Sequence, residues 1–279
     1  MVMPLPQPAT SSIQIIDDLV AERQNGKNAA FFNGIHAEWR TRVQDYVAQC
    51  GSPEFIHDWP AVAHKKKSFL NLYLSSRVGS TQATMLDLLD DHELTLCPAC
   101  GEAGRPNTLD HYLPKGRYPH FCVTPLNLFP MCDACQKEKL EKTGDANSPR
   151  FFVHPYFDVF VAQRVLELSI HRPYDKPTFA LSVRPGLTVA QTALITSHVR
   201  ELAIEQRYAH FFRGQHRRLL RLVNEMRSND QNVQMNLAAF RDSYSDPSEN
   251  SWEHVFYCAV LADANLLDYL ENSQLPDYP

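Results

Sequence analysis

The 279-residue sequence lacks the marks of several common protein classes. No apolar run approaches the roughly 20 residues that a membrane-spanning helix needs, so no membrane protein is expected. Residues 1–10 carry Pro4, Pro6 and Pro8 but no basic segment, so they do not read as a secretory leader. No Gly-x-x-x-x-Gly-Lys-Ser/Thr loop is present, which excludes a P-loop nucleotide hydrolase. Glycine is scarce, at ten residues, and no glycine–serine linker or internal repeat divides the chain. Strong charge is missing too. With 27 basic against 32 acidic residues the net charge is −5, so a bound polyanion must be held by a local patch. The cysteine count is seven; an odd number without a leader argues against a disulfide framework and for a reducing, cytoplasmic setting.

Proline is abundant but uneven. Eight of the 19 prolines lie between Pro98 and Pro155, a loop-rich stretch, whereas residues 61–97 and 186–246 have none. Those proline-free segments, with recurring apolar residues, read as helix. Trp39, Val43, Tyr46, Val47 and Cys50 form one apolar stripe at helical spacing, stopped by Gly51 and Pro53. Met85, Leu88, Leu89 and His92 form another. Leu166–Ile170 and Phe179–Val183 alternate with period two and read as a β-hairpin. Thr188 and Ser251 read as N-caps of helices filling 189–228 and 251–271. The fold class expected is α+β: a mainly helical chain with two small β elements, a helical region over 1–95, a central module over 96–150, and an α+β region over 151–279. Cys50, Cys122 and Cys258 stand apart and are expected to be buried as small hydrophobes.

The other four cysteines form two pairs, Cys97-Pro98-Ala99-Cys100 and Cys132-Asp133-Ala134-Cys135, 31 residues apart. Two residues between cysteines let both thiolates of a tight turn reach one ion. Two such turns complete a tetrahedral four-cysteine zinc site. Such a site is coordinatively closed, so the zinc expected here is structural.

Between and after the pairs run Asp110-His111-Tyr112-Leu113-Pro114, Pro125-Leu126-Asn127-Leu128, and Cys135-Gln136-Lys137-Glu138-Lys139. In this order the segment 97–142 resembles the HNH, or ββα-metal, endonucleases whose module is braced by two zinc knuckles. Phe151–Asp158 also resembles bacterial proteins of this group from anti-phage defence or mobile-element loci, and the chain as a whole resembles the nuclease subunit of a defence system of the Septu or retron-linked kind. The resemblance implies phosphodiester hydrolysis, with His111 as general base, Asp110 and Gln136 as ligands of a catalytic Mg2+ or Mn2+, Asn127 holding the His111 ring, and Lys139 aimed at phosphate. At position 136 the family has His or Asn. A glutamine amide oxygen still suits Mg2+, with one more rotatable bond. His154 is a further candidate ligand. The resemblance also implies a regulatory partner, such as an ATPase. The competing expectation is a catalytically weak or inactive zinc-braced adaptor that binds nucleic acid or protein.

Residues 105–142 carry a local charge of +2 and residues 200–227 one of +4. Lys115, and Arg213, Arg217 and Arg221 at i, i+4 and i+8, are the candidate contacts to DNA, with RNA left open. No helix-turn-helix or array of fingers is visible that would read bases.

Overall fold

The computed structural model describes residues 3–76 and 78–276. Helices α1 (Ser12–Glu22), α2 (Ala29–Ala48), α3 (Lys66–Leu74) and α4 (Thr81–Asp90) come first. Strand β1 (Thr108–His111) and strand β2 (Leu128–Met131) then pair antiparallel, Asp110 opposite Phe129 and His111 opposite Leu128, and helix α5 (Asp133–Lys139) follows. Strands β3 (Leu166–His171) and β4 (Thr178–Val183) form the second antiparallel pair, followed by α6 (Val189–Glu201), α7 (Ile204–Ser228), α8 (Val233–Ser243), α9 (Trp252–Ala262) and α10 (Ala264–Asn272). Among the described residues the fold is thus mainly helical with two two-stranded sheets; period-two alternation accounts for β3–β4, whereas β1–β2 lies in the proline-rich central stretch that shows no such alternation. No helix of the described residues is long and apolar enough to cross a membrane.

One hydrophobic cluster joins the three regions. It runs from Ile15, Trp39 and Phe69 through Tyr118 and Phe121 to Phe212, Trp252 and Leu270. Several local signals act as expected. Thr188 builds a full capping box with Gln191, and Ser251 accepts from His254 N at the start of α9. Three expectations need correction. The helix over 189–228 is broken, because Ala203 takes a left-handed φ of 48° between α6 and α7, and no glycine or proline marks the break. The segment 251–271 is likewise two helices, since Asp263 leaves the helix and caps α10 with its own carboxylate. Cys50 is exposed just past the end of α2 rather than buried, while Cys122 is buried and Cys258 half-buried.

The end of α2 is packed against the central module. Cys50 and Gly51 both have positive φ, and Gly51 N donates to Tyr46 O, turning the chain back over the Tyr46 ring. A Cβ on Gly51 would stand 2.7 Å from Tyr46 Oη and 3.1 Å from His154 Cδ2, at a φ of 66° that side chains avoid. Gly51→Ala is therefore expected to destabilise the protein by roughly 2–3 kcal/mol, the sum of a left-handed alanine and a displaced ring. Chemical denaturation reads this directly; an unchanged midpoint would show that Tyr46 can move freely.

Candidate functional site

The four cysteines converge. Cys97 and Cys100 sit on a turn closed by Gly101 N donating to Cys97 O at 2.7 Å, with Gly101 at a φ of 73°. Cys132 is the N-cap of α5 and Cys135 lies in its first turn. The four Sγ atoms all lie within 4.8 Å of one another, and Cys100 and Cys132 are 3.8 Å apart. A tetrahedral ion with sulfurs at about 2.3 Å would set them roughly 3.8 Å apart, so the donor set fits such a metal. These cysteines are positioned to bind a metal ion.

The first turn is tied down from far away in sequence. Pro98 O accepts from Met3 N, Ala99 O from His198 Nε2 of α6 at 2.7 Å, and Cys100 O from Trp252 Nε1 of α9 at 2.6 Å. Arg207, in the first turn of α7, reaches Cys135 Sγ at 3.2 Å and Glu102 at 3.1 Å. None of these four partners is legible in the sequence, because nothing local marks a side chain that will meet a turn about 100 residues away.

A second cluster lies on the β1–β2–α5 unit beside the cysteines. Successive side chains of a strand face opposite ways, so Asp110 and His111 diverge. Asp110 turns toward α5, where Lys139 Nζ lies 3.0 Å from Oδ2 and Gln136 Nε2 lies 3.4 Å from Oδ1. The structure thus brings Asp110 and Gln136 together. Two oxygen ligands in adjacent positions of an octahedral Mg2+ stand roughly 3 Å apart, so this spacing is compatible once the Gln136 amide presents its oxygen. Among the described residues the four cysteines form the only group of three or more His, Cys, Asp or Glu side chains close enough to share an ion.

His111 is 2% exposed, and its Nε2 lies 3.0 Å from Cys122 O. A carbonyl only accepts, so Nε2 carries the proton and the lone pair is on Nδ1. Nδ1 is buried and has no hydrogen-bond partner among the described residues. Burial, and then the nearby Lys115 ammonium, push the imidazole pKa down to about 3, so the ring is neutral at ordinary pH. Tyr73 of α3 packs edge-on against the ring at 4.6 Å, donates to Leu109 O at 3.1 Å, and takes Lys115 Nζ over its own face at 5.3 Å. In the sequence Phe69, Leu72 and Tyr73 read only as the start of an apolar helical stripe; the Tyr73 hydroxyl contact and its place over His111 come from tertiary packing.

Three expected roles are revised. Lys139 does not project at a phosphate. It is 1% exposed, donates to His111 O at 2.6 Å and pairs with Asp110 beneath the Phe152 ring. It lies so deep because the short helix α5 packs directly on β1. Asn127 does not hold the His111 ring, which Cys122 O holds instead. Its amide clamps the strand connection: Oδ1 accepts from Leu113 N at 2.8 Å, while Nδ2 donates to Leu113 O and Phe121 O. His154 is not beside Asp110. Its Nδ1 accepts from Tyr156 N and its Nε2 donates to Tyr46 Oη at 3.0 Å, which in turn donates to Asn127 Oδ1 at 3.1 Å. With both ring nitrogens used and the ring buried at 4.1 Å from Tyr112, His154 supports Asn127 and has no lone pair left for a metal. Burial holds its pKa well below the ordinary histidine value.

The basic candidates separate. Lys115 is at the His111 cluster. Arg213, Arg217 and Arg221 are exposed along α7, roughly 9, 15 and 21 Å along the helix axis from Arg207. Arg213 and Arg217 border a cavity of about 250 Å³ with Lys176, Asp175, Phe179 and His216, beside the β3–β4 turn.

No protein-family model matches this chain, and no solved structure does. Among curated proteins, protein ea31 of Escherichia phage lambda is 37% identical over 62 residues, 22% of this chain. The match spans about a fifth of the phage protein, 21% of its length.

Proposed function

We propose that this protein is a metal-dependent endonuclease of the HNH type that hydrolyses phosphodiester bonds in DNA, braced by structural zinc on Cys97, Cys100, Cys132 and Cys135. The observation that carries the reading is His111: a neutral imidazole whose proton is pinned to Nε2 by Cys122 O, leaving an unpartnered lone pair on Nδ1 one residue from Asp110. That is the tautomer and charge state a general base starts from, and since Nδ1 is buried under Tyr73, that ring must shift for an attacking water to reach it. Asp110 and Gln136 would hold the divalent ion, which when bound supplies positive charge to offset that on the scissile phosphate. Lys139 fixes the carboxylate and the His111 carbonyl together, and Asn127, backed by Tyr46 and His154, fixes the strand connection that carries Cys122 O. The resemblance to defence-system nuclease subunits extends this to an effector nuclease of a bacterial anti-phage system, restrained by a partner such as an ATPase. The tight enclosure of His111 by Tyr73, and of Asp110 by Lys139, favours a second reading, a zinc-braced adaptor without activity.

The two readings part on supercoiled plasmid with Mg2+ or Mn2+. The nuclease reading expects nicked or linear product. No product with either ion, from zinc-loaded protein with and without its native partner, would leave the adaptor. A metal titration then tests Gln136. Gln136→Ala is expected to raise the Mg2+ concentration for half-maximal cleavage about tenfold, as loss of one of two protein ligands should. Gln136→His is expected to keep activity best with Mn2+, which accepts imidazole more readily. Equal titration curves for Gln136→Ala and wild type would remove Gln136 from the ion.

A further inference from the structure

We infer that Arg207 is a built-in counter-charge of the four-cysteine metal centre, acting on the ion through the sulfurs and making metal retention depend on helix α7. The inference rests on the zinc reading of those cysteines and is independent of nuclease activity.

Four thiolates around one Zn2+ leave a doubly negative cluster, and here the cluster is largely buried: Cys97, Cys100 and Cys135 are buried and Cys132 half-buried. Negative charge removed from water is costly unless a positive group stands beside it. Arg207 is that group. Its Nη2 donates to Cys135 Sγ at 3.2 Å and its Nη1 lies 3.9 Å from Cys132 Sγ, so one guanidinium spans both sulfurs that α5 contributes. The planar fork suits this; a lysine would reach one sulfur at a time.

Arg207 is itself held in place. Nη1 pairs with Glu102, two residues beyond Cys100, at 3.1 Å, and the guanidinium lies 5.8 Å from the centre of the Trp252 ring. Trp252 in turn donates its indole N–H to Cys100 O. The arginine therefore bridges the two cysteine turns from outside the cluster: Glu102 beside the first, the two sulfurs of the second. Hydrogen bonds to a metal-bound thiolate draw electron density from the sulfur, weakening its donation to the metal while stabilising the charged cluster against loss of the ion.

The test uses the full-length protein, with Arg207→Gln and Arg207→Lys. Zinc content is measured first, then zinc affinity against a chromophoric chelator, then the sulfur-to-metal charge-transfer band of the Co2+-substituted protein. Arg207→Gln is expected to bind zinc about 10–100-fold more weakly. Its Co2+ band should move to lower energy, because sulfurs freed of the guanidinium donate more readily. Arg207→Lys should recover part of the affinity by restoring charge without the fork. If Arg207→Gln does not fold, the lysine variant carries the same two readouts. Wild-type affinity and an unshifted band in the variants that fold would overturn the inference. A wild-type protein that binds no zinc would overturn the metal reading, and the inference with it.

Discussion

Cys132→Ser is expected to yield a protein that neither retains zinc nor melts cooperatively. Cys132 has two places at once: it is one of the four cysteines positioned to bind a metal ion, and it occupies the N-cap position of α5, with its N–H directed at Cys97 Sγ at 3.4 Å. Serine could still cap the helix, so the substitution isolates the metal. Binding of structural zinc is worth about 10–16 kcal/mol in small zinc-folded peptides, comparable to or larger than the roughly 5–15 kcal/mol total stability of a typical domain. The effect here should spread beyond the module. The first cysteine turn is where the N-terminal segment, α6 and α9 attach through Met3, His198 and Trp252. Loss of the ion frees that turn and with it three long-range hydrogen bonds. Metal analysis and a thermal melt monitored by circular dichroism check the result. A zinc-free variant melting like wild type would show that the cysteines do not hold the fold.

His111→Ala is expected to reduce cleavage by about 10²–10⁴-fold with zinc content preserved. The substitution also strips Cys122 O of its donor, at a cost of roughly 1–3 kcal/mol, so a modest loss of melting temperature should accompany it. Full activity in the variant would exclude His111 as the base and with it the proposed mechanism. The pH profile gives an independent check. Because burial and Lys115 hold the imidazole down at about 3, the ring stays unprotonated throughout the neutral and mildly acid range. The acid limb of kcat/KM should show no histidine titration near the unperturbed value of about 6.5. The same shift has a stability sign. Between about pH 6.5 and 3 the unfolded chain binds a proton at this residue and the folded chain does not, so stability is lost as pH falls through that window. His120 and His198, pushed down to about 3 and about 4 by burial, add to the loss in the same direction.

Much of the architecture is decided locally. Period-two alternation places β3 and β4, a Ser or Thr before an apolar run places the starts of α6 and α9, and the spacing within each cysteine pair is enough to point to a shared ion. Such features depend on neighbours within a few residues, so a linear pattern carries them. The juxtaposition of Asp110 with Gln136 is also legible, since Gln136 follows Cys135 on a helix the cysteines anchor beside β1. The break at Ala203 is not, because its left-handed backbone is imposed by the packing of α6 and α7 and no glycine announces it.

What single side chains do is decided by the tertiary structure. Lys139, Asn127 and His154 are polar residues whose sequence context suits an open cleft, and the fold buries all three. Once buried, each must satisfy its hydrogen-bonding groups on whatever lies nearest: Lys139 on Asp110 and His111 O, Asn127 on the backbone of Leu113 and Phe121, His154 on Tyr46 and Tyr156. The same packing leaves His111 with one nitrogen bound and one free. Arg207 and Trp252 reach the cysteine turns across more than 70 residues of chain, through contacts that exist only after α7 and α9 have packed. Residue types and their short spacings therefore specified the cysteine cluster and most of the elements. Burial and long-range contact, properties of the folded chain alone, assigned each polar atom its partner.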